Sequence, residues 1–123
     1  MKLIIAVGIG SCIGGIFRYL LSQVIQTKFL STFPFGTLSV NIIGCFLIGV
    51  AFGFSERSYL SVEWRLFLVT GFLGGFTTFS SFSNETIALI RDGQSWLALS
   101  YVAGSVIVGL IATFAGISVI KLL

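Results

Sequence analysis

The sequence predicts an all-α integral membrane protein with four transmembrane helices, and three observations carry that prediction. Hydrophobic residues make up 56% of the 123-residue chain and charged residues only 9%. A soluble domain this short has a high surface-to-volume ratio, and seven Lys or Arg with four Asp or Glu could not coat it. The apolar residues fall into four stretches, each near the ~20 residues that a helix needs to cross the hydrocarbon core. The breaks between them are short and polar, so the spans fill residues 1–123 as a single four-helix transmembrane domain.

The first span is expected at about residues 3–27, with Arg18 and Gln23 in its second half, and it stops before Thr32-Phe33-Pro34. Met1-Lys2 followed by an apolar stretch also has the outline of a signal peptide, and Ile9-Gly10-Ser11-Cys12 that of a lipoprotein cleavage box. The apolar segment before Cys12 is short and more membrane spans follow, so a first transmembrane helix is the better reading. The second span is expected at 35–54, ending at Ser55-Glu56-Arg57; the third at 64–90; the fourth at 96–120. Trp64 and Trp96 each open a span, where an indole prefers the headgroup layer.

The net charge of +3 is spread over isolated residues: Lys2, Arg18, Lys28, Arg57, Arg65, Arg91 and Lys121. Without a basic patch there is no nucleic-acid surface, and these residues read as helix-end anchors against lipid. Four crossings put both termini on one side, with Lys2, Arg57, Arg65 and Lys121. Lys28 and Arg91 lie opposite, with Arg18 leaning that way. That bias is weak, so insertion in both orientations is expected.

Cys12 and Cys45 lie in apolar runs without metal-ligand spacing, and read as small hydrophobes. Histidine is absent, which removes the commonest general base and leaves an enzyme only Glu56, Glu63, Glu85 and Asp92. Small residues recur at close-packing spacing: Gly10 with Gly14, Gly49 with Gly53, Gly71 with Gly75, Ala112 with Gly116. Packing within one bundle explains any single pair better than a dimer face does. An oligomer is favoured by size, because four tightly packed helices leave no aqueous path between them.

Polar groups inside hydrocarbon cost several kcal/mol unless they are paired, which makes them functional candidates. Asn41, in the first half of the second span, is either interhelical glue bonded to a neighbouring backbone or part of a site. The third span carries Gly71-Phe72-Leu73-Gly74-Gly75-Phe76-Thr77-Thr78-Phe79-Ser80-Ser81-Phe82-Ser83-Asn84-Glu85, a poor helix that predicts a break in mid-membrane. Such a break frees carbonyls for a cation and N–H groups for an anion, or is simply a kink. Phe79 and Phe82 share a face, and the positive edge of an aromatic ring can meet an anion without proton chemistry. Tyr101 and Ser105, four apart, extend a polar track in the fourth span that reaches Gly109 one turn on. Arg18 reads as a structurally required, snorkelling arginine. Neutral donors, ring edges and the guanidinium describe a path for a small, strongly hydrated anion, with Glu85 near the end of its span.

Three segments together resemble the Fluc (CrcB-type) fluoride channels over essentially the whole chain. They are Gly14-Gly15-Ile16-Phe17-Arg18-Tyr19, then Pro34-Phe35-Gly36-Thr37-Leu38-Ser39-Val40-Asn41 leading to Gly44, and the run from Gly71 to Phe82. The resemblance implies a passive, fluoride-selective channel exporting fluoride from the cytoplasm. It further implies a dual-topology antiparallel homodimer with two pores and a central structural sodium ion. By position, the carbonyls of Gly74 and Thr77 correspond to the sodium ligands, Phe79 and Phe82 to the aromatic pair along the fluoride path, and Asn41 to the asparagine donating into it. Tyr101 and Ser105 correspond to the fourth-helix polar track, and Glu85 to a carboxylate near its end. Gly109 departs from the family, which commonly has a second serine there. The resemblance implies a multi-pass protein of a bacterial plasma or inner membrane.

Two other functions fit a chain of this size. A small dual-topology proton-coupled transporter depends on a carboxylate in its first helix, and this first helix has none. A non-conducting subunit would need a partner chain.

Overall fold

A computed structural model describes residues 1–56 and 60–122. Arg57, counted among the anchors above, lies outside the described residues. The described chain is helical: α1 (Lys2–Phe29), α2 (Phe35–Glu56), α3 (Val62–Arg65), a π-helical stretch (Leu66–Leu73), α4 (Gly74–Phe76), α5 (Phe79–Arg91) and α6 (Ser95–Lys121). Among the described residues four helical runs are long and apolar enough to cross a membrane: α1, α2, the run Val62–Arg91, and α6. Each extends a residue or two past one or both of the limits read from hydropathy, because helical turns continue into the headgroup layer after the apolar stretch has ended.

Local chemistry sets where the runs begin and end. α1 closes at Leu30, whose φ of 34° places it in the left-handed region, with Lys28 in the last turn beside the negative helix end. Pro34 precedes α2, whose first turn needs no N–H from it. Ser61 caps α3, its hydroxyl accepting from the Trp64 N–H at 3.4 Å. α5 ends at Arg91 and is closed by Gly93, φ 76°, where the Gly93 N–H reaches the Ile90 carbonyl (3.1 Å) and the Gln94 N–H the Leu89 carbonyl (2.8 Å). That double bond pattern with a left-handed glycine turns the chain straight into α6.

The helices associate mainly as two pairs, α1 with the first part of the third span and α2 with α6. Glycine makes both approaches possible. A β-carbon on Gly14 would overlap the Phe72 carbonyl, and one on Gly75 would lie 2.5 Å from the Ser11 carbonyl. Between α2 and α6, a β-carbon on Gly49 would overlap the Thr113 carbonyl and one on Gly116 the Phe46 carbonyl. The small-residue pairs noted in the sequence are thus used within the chain, where close backbone approach replaces the hydrophobic drive that lipid cannot supply.

The buried interior is small. Tyr101 and Val40 are fully buried, and Leu89, Ala98 and Tyr101 form a cluster against which Phe33, Leu38 and Phe82 pack. In contrast Leu110, Phe114 and Ile4 are more than two-thirds exposed, as side chains facing acyl chains would be.

The third span is the least regular. Its π-helical stretch is not legible in the sequence: the Gly74 N–H reaches back five residues to the Val69 carbonyl, a winding set by packing and not by residue propensity. After Phe76 the backbone leaves helical geometry for two residues, Thr77 (φ −91°, ψ 156°) and Thr78 (φ −147°, ψ 117°), before α5 begins.

Candidate functional site

The two extended residues are held by side chains in place of helical bonds. In a continuous helix the Thr78 N–H would donate to the Gly74 carbonyl; here it donates to Asn41 Oδ1 at 2.8 Å. The Ser81 N–H would donate to Thr77; here it meets Thr78 Oγ1 at 3.2 Å, the N-cap of α5. The Gly75 carbonyl, whose helical donor would be Phe79, accepts from Arg18 Nε at 3.0 Å. Asn41 Nδ2 completes the clasp by donating to the Thr78 carbonyl at 3.1 Å. The Gly74 and Thr77 carbonyls are therefore relieved of their helical donors. Among the described residues no group of His, Cys, Asp or Glu side chains could hold a metal.

Asn41 does what the glue reading expected of it, bonding a neighbouring backbone through both amide atoms. One of its two amide protons exceeds that need. Its side chain lines a cavity of about 420 Å³ together with Phe79, Phe82, Ser105, Gly74 and Thr77. Six of the residues singled out by sequence thus meet at one place, although they come from α2, the third span and α6. Phe79 and Phe82 stand with ring centroids 5.6 Å apart, tilted by 44°. Phe79 is 78% exposed at the rim.

Ser105 is the anomaly in this lining. Elsewhere in the helices the hydroxyls of Thr27, Thr86, Ser100, Thr113 and Ser118 bond back to the carbonyl four residues earlier. Ser105 Oγ is buried and has no hydrogen-bond partner, the one such side-chain atom found among the described residues. A buried hydroxyl that forgoes its local carbonyl costs stability, and Ser105 is part of the cavity wall.

Glu85, Arg18 and Thr37 line a second, smaller cavity of about 190 Å³, with Ser22, Gln23 and Ser81 also in its wall. Thr78 lines both cavities, so the Asn41 clasp stands between them. Glu85 is fully engaged: Thr37 Oγ1 donates to its Oε1 at 2.6 Å and the Tyr101 hydroxyl to its Oε2 at 2.7 Å. Tyr101 lies under the Phe82 ring, centroids 5.0 Å apart. Its hydroxyl is committed to the carboxylate, while Ser105 one turn away faces the larger cavity.

Sequence reading missed Thr37 as a site residue, although it stands one helical turn before Asn41 on the same face. It also read Cys45 only as a small hydrophobe; the thiol side chain lines the larger cavity. Arg18, read as a structural arginine, donates to the Gly75 carbonyl at the edge of the two extended residues.

Residues 5–117 match the family model described as CrcB-like protein, Camphor Resistance (CrcB). The chain is 50% identical over 109 residues to a protein of Parabacteroides distasonis, covering 89% of this chain and 85% of that one. It is 48% identical over 123 residues to a protein of Pseudomonas fluorescens, covering 99% of each, and 43% identical over 122 residues to one of Flavobacterium psychrophilum, covering 98% of each. All three relatives are named fluoride-specific ion channel FluC. With a family match across most of its length and relatives this similar, the chain belongs to the CrcB-like family.

Proposed function

We propose that this protein is a passive, fluoride-selective ion channel of a bacterial cell membrane that lets fluoride leave the cytoplasm. The observation that carries the reading is a cavity whose wall brings together the Asn41 amide, Thr77, Thr78, the Phe79 and Phe82 rings and Ser105, with the Ser105 hydroxyl buried and unpartnered among the described residues. Fluoride is small and holds its water tightly, so a path for it must supply closely spaced neutral donors as that water is shed. A surplus amide proton and a free hydroxyl do this without fixing the anion by full charge. Ring edges add a weak, non-titrating attraction. Beyond the clasp, Glu85 repels an anion unless its oxygens are covered, and Thr37 and Tyr101 cover both.

The working unit in this reading is an antiparallel, dual-topology homodimer with two pores. Support comes from the near balance of basic residues between the two sides, and from exposed Phe79 at the rim of a cavity that one chain leaves incomplete. The two extended residues are then a mid-membrane break of the third span, protected from lipid by the second subunit. A central structural sodium ion is proposed on the Gly74 and Thr77 carbonyls of each subunit; their loss of helical donors is the feature that fits it. Such an ion would fix the two breaks against each other. Ser105 continues the donor line along α6, while Tyr101, one turn before it, contributes through its bond to Glu85.

A proton-coupled transporter is disfavoured because α1 has no carboxylate, and an enzyme because the chain has no histidine and the described residues hold no cluster of acids. The test is fluoride efflux from liposomes containing only this protein, with a potassium ionophore and no proton gradient. Sustained efflux is expected. Dependence on a proton gradient indicates a transporter, and silent vesicles indicate a subunit that needs a partner.

A further inference from the structure

Down one side of α1, toward α2 and the third span, stand three polar residues at intervals of one turn: Arg18, Ser22 and Gln26. Arg18 holds the Gly75 carbonyl, and Ser22 is the surface against which Gly36 is pressed, so that a β-carbon there would lie 2.5 Å from the Ser22 carbonyl. Gln26 commits its whole amide to the connector between α1 and α2. Its Nε2 donates to the carbonyls of Ser31 (2.8 Å) and Phe33 (3.1 Å), and its Oε1 accepts from the Gly36 N–H at 3.0 Å. Three bonds from one side chain to residues 31–36 fix the path of that connector and the register in which α2 begins.

Both donors to Glu85 are placed by this connector. Thr37 follows Gly36 directly, and its hydroxyl reaches Glu85 Oε1. The Phe33 ring, whose carbonyl Gln26 holds, packs edge-on against Tyr101 with centroids 5.5 Å apart, and Tyr101 reaches Glu85 Oε2. Released from Gln26, the connector keeps the bonds of the Phe35 N–H to the Phe33 carbonyl (2.9 Å), the Phe33 N–H to the Ser31 hydroxyl (3.1 Å) and the Thr32 hydroxyl to Gln94 Oε1 (3.1 Å), none of which ties it to α1.

We propose that Gln26 is a positioning residue for the Glu85 carboxylate: by fixing residues 31–36 it brings Thr37 and Tyr101 together onto the two oxygens, and conduction past Glu85 depends on it. The inference rests on the channel reading above. Gln26 touches no ion; it acts through the connector, and its effect is read only when Glu85 and its two donors are in place.

The experiment measures fluoride efflux per assembled channel in liposomes for wild type, Gln26→Ala, Gln26→Met, Thr37→Val and the double variant Gln26→Met with Thr37→Val. Methionine keeps the length and apolar bulk of the side chain and removes only its hydrogen bonds, so it carries the test where alanine lowers the yield of folded protein. Each single variant is expected to lose roughly tenfold in unit flux, the size of one lost buried hydrogen bond. The double variant is expected to fall no further than the worse single, because both changes act on the same carboxylate. Wild-type unit flux in the Gln26 variants, multiplicative losses in the double, or a deficit confined to the amount of folded protein each overturns the proposal. Silent wild-type vesicles overturn the channel reading itself, a result told apart by the first sample measured.

Discussion

At Glu85 the hydroxyls of Thr37 and Tyr101 end on the two oxygens of one carboxylate, at 2.6 and 2.7 Å; at Ser105, one turn along α6 from Tyr101, a buried hydroxyl ends on nothing among the described residues. The two places share a helix and a residue chemistry, and differ in saturation. A saturated cluster is worth stability and rigidity, and an unsaturated donor costs stability and is available for a ligand. Between them stands the Asn41 clasp, which belongs to both kinds: two bonds to Thr78 and one amide proton in excess.

The largest effect is therefore expected at the clasp. In Asn41→Asp a carboxylate replaces the amide, loses the donation to the Thr78 carbonyl and sets a negative charge where the anion must pass. A fluoride-electrode efflux assay is expected to register a loss of about a hundredfold or more, the order of an unpaired buried charge. Normal flux in this variant removes Asn41 from the ion path and leaves it as glue alone. Next comes Phe79→Ile, which keeps an apolar side chain at the rim but deletes the ring edge. Unit flux is expected to fall roughly tenfold while cross-linking still recovers the dimer; an unchanged rate assigns Phe79 to packing.

The comparison itself is tested by pairing Ser105→Ala with Thr37→Val. If saturation separates stability from function, Ser105→Ala cuts flux several-fold and leaves thermal stability in detergent unchanged or raised by about 1 kcal/mol, since no bond is lost and an unsatisfied hydroxyl is removed. Thr37→Val removes a 2.6 Å bond to a carboxylate and is expected to lower stability by about 1 kcal/mol as well as flux. A loss of stability in Ser105→Ala shows that its hydroxyl has a structural partner, and the contrast between the two sites fails.

How much of this was legible in the sequence differs between the same two sites. The four spans were readable because hydropathy over ~20 residues is a sum that local packing cannot alter. Phe79 and Phe82 stand out as aromatic residues in a poor helix, and Asn41 and Ser105 as polar residues in apolar spans. Gln26 was invisible: a glutamine near a helix end looks like a solvated residue, and only the path of the connector shows that it bonds Ser31, Phe33 and Gly36. The pairing of Glu85 with Thr37 was equally hidden, since they lie 48 positions apart. Spacing along one helix can suggest a shared face, as for Tyr101 and Ser105, but not which of two hydroxyls will be consumed by a neighbour on another element.

The smallest effect is expected at Gly109, beside the unsaturated hydroxyl. Gly109 continues the α6 line past Ser105 without a side chain, and the atom facing it is Cys45 Sγ, 3.3 Å from where a β-carbon would stand. That separation is tight but lies at the end of a short side chain, so Gly109→Ser can be accommodated by a shift of a few tenths of an ångström in Cys45, and the bundle should assemble normally. The new hydroxyl has two choices. It can bond back to the Ser105 carbonyl, as the other helical hydroxyls do, and flux will not change; or it can remain free beside Ser105 and lengthen the donor line, raising unit flux by roughly twofold, less than 1 kcal/mol in the barrier. The expected outcome is the second, because Ser105 itself declines the local carbonyl in this stretch of α6. An unaltered rate would mean that the donor line ends at Ser105 and that Cys45 and Gly109 only pack.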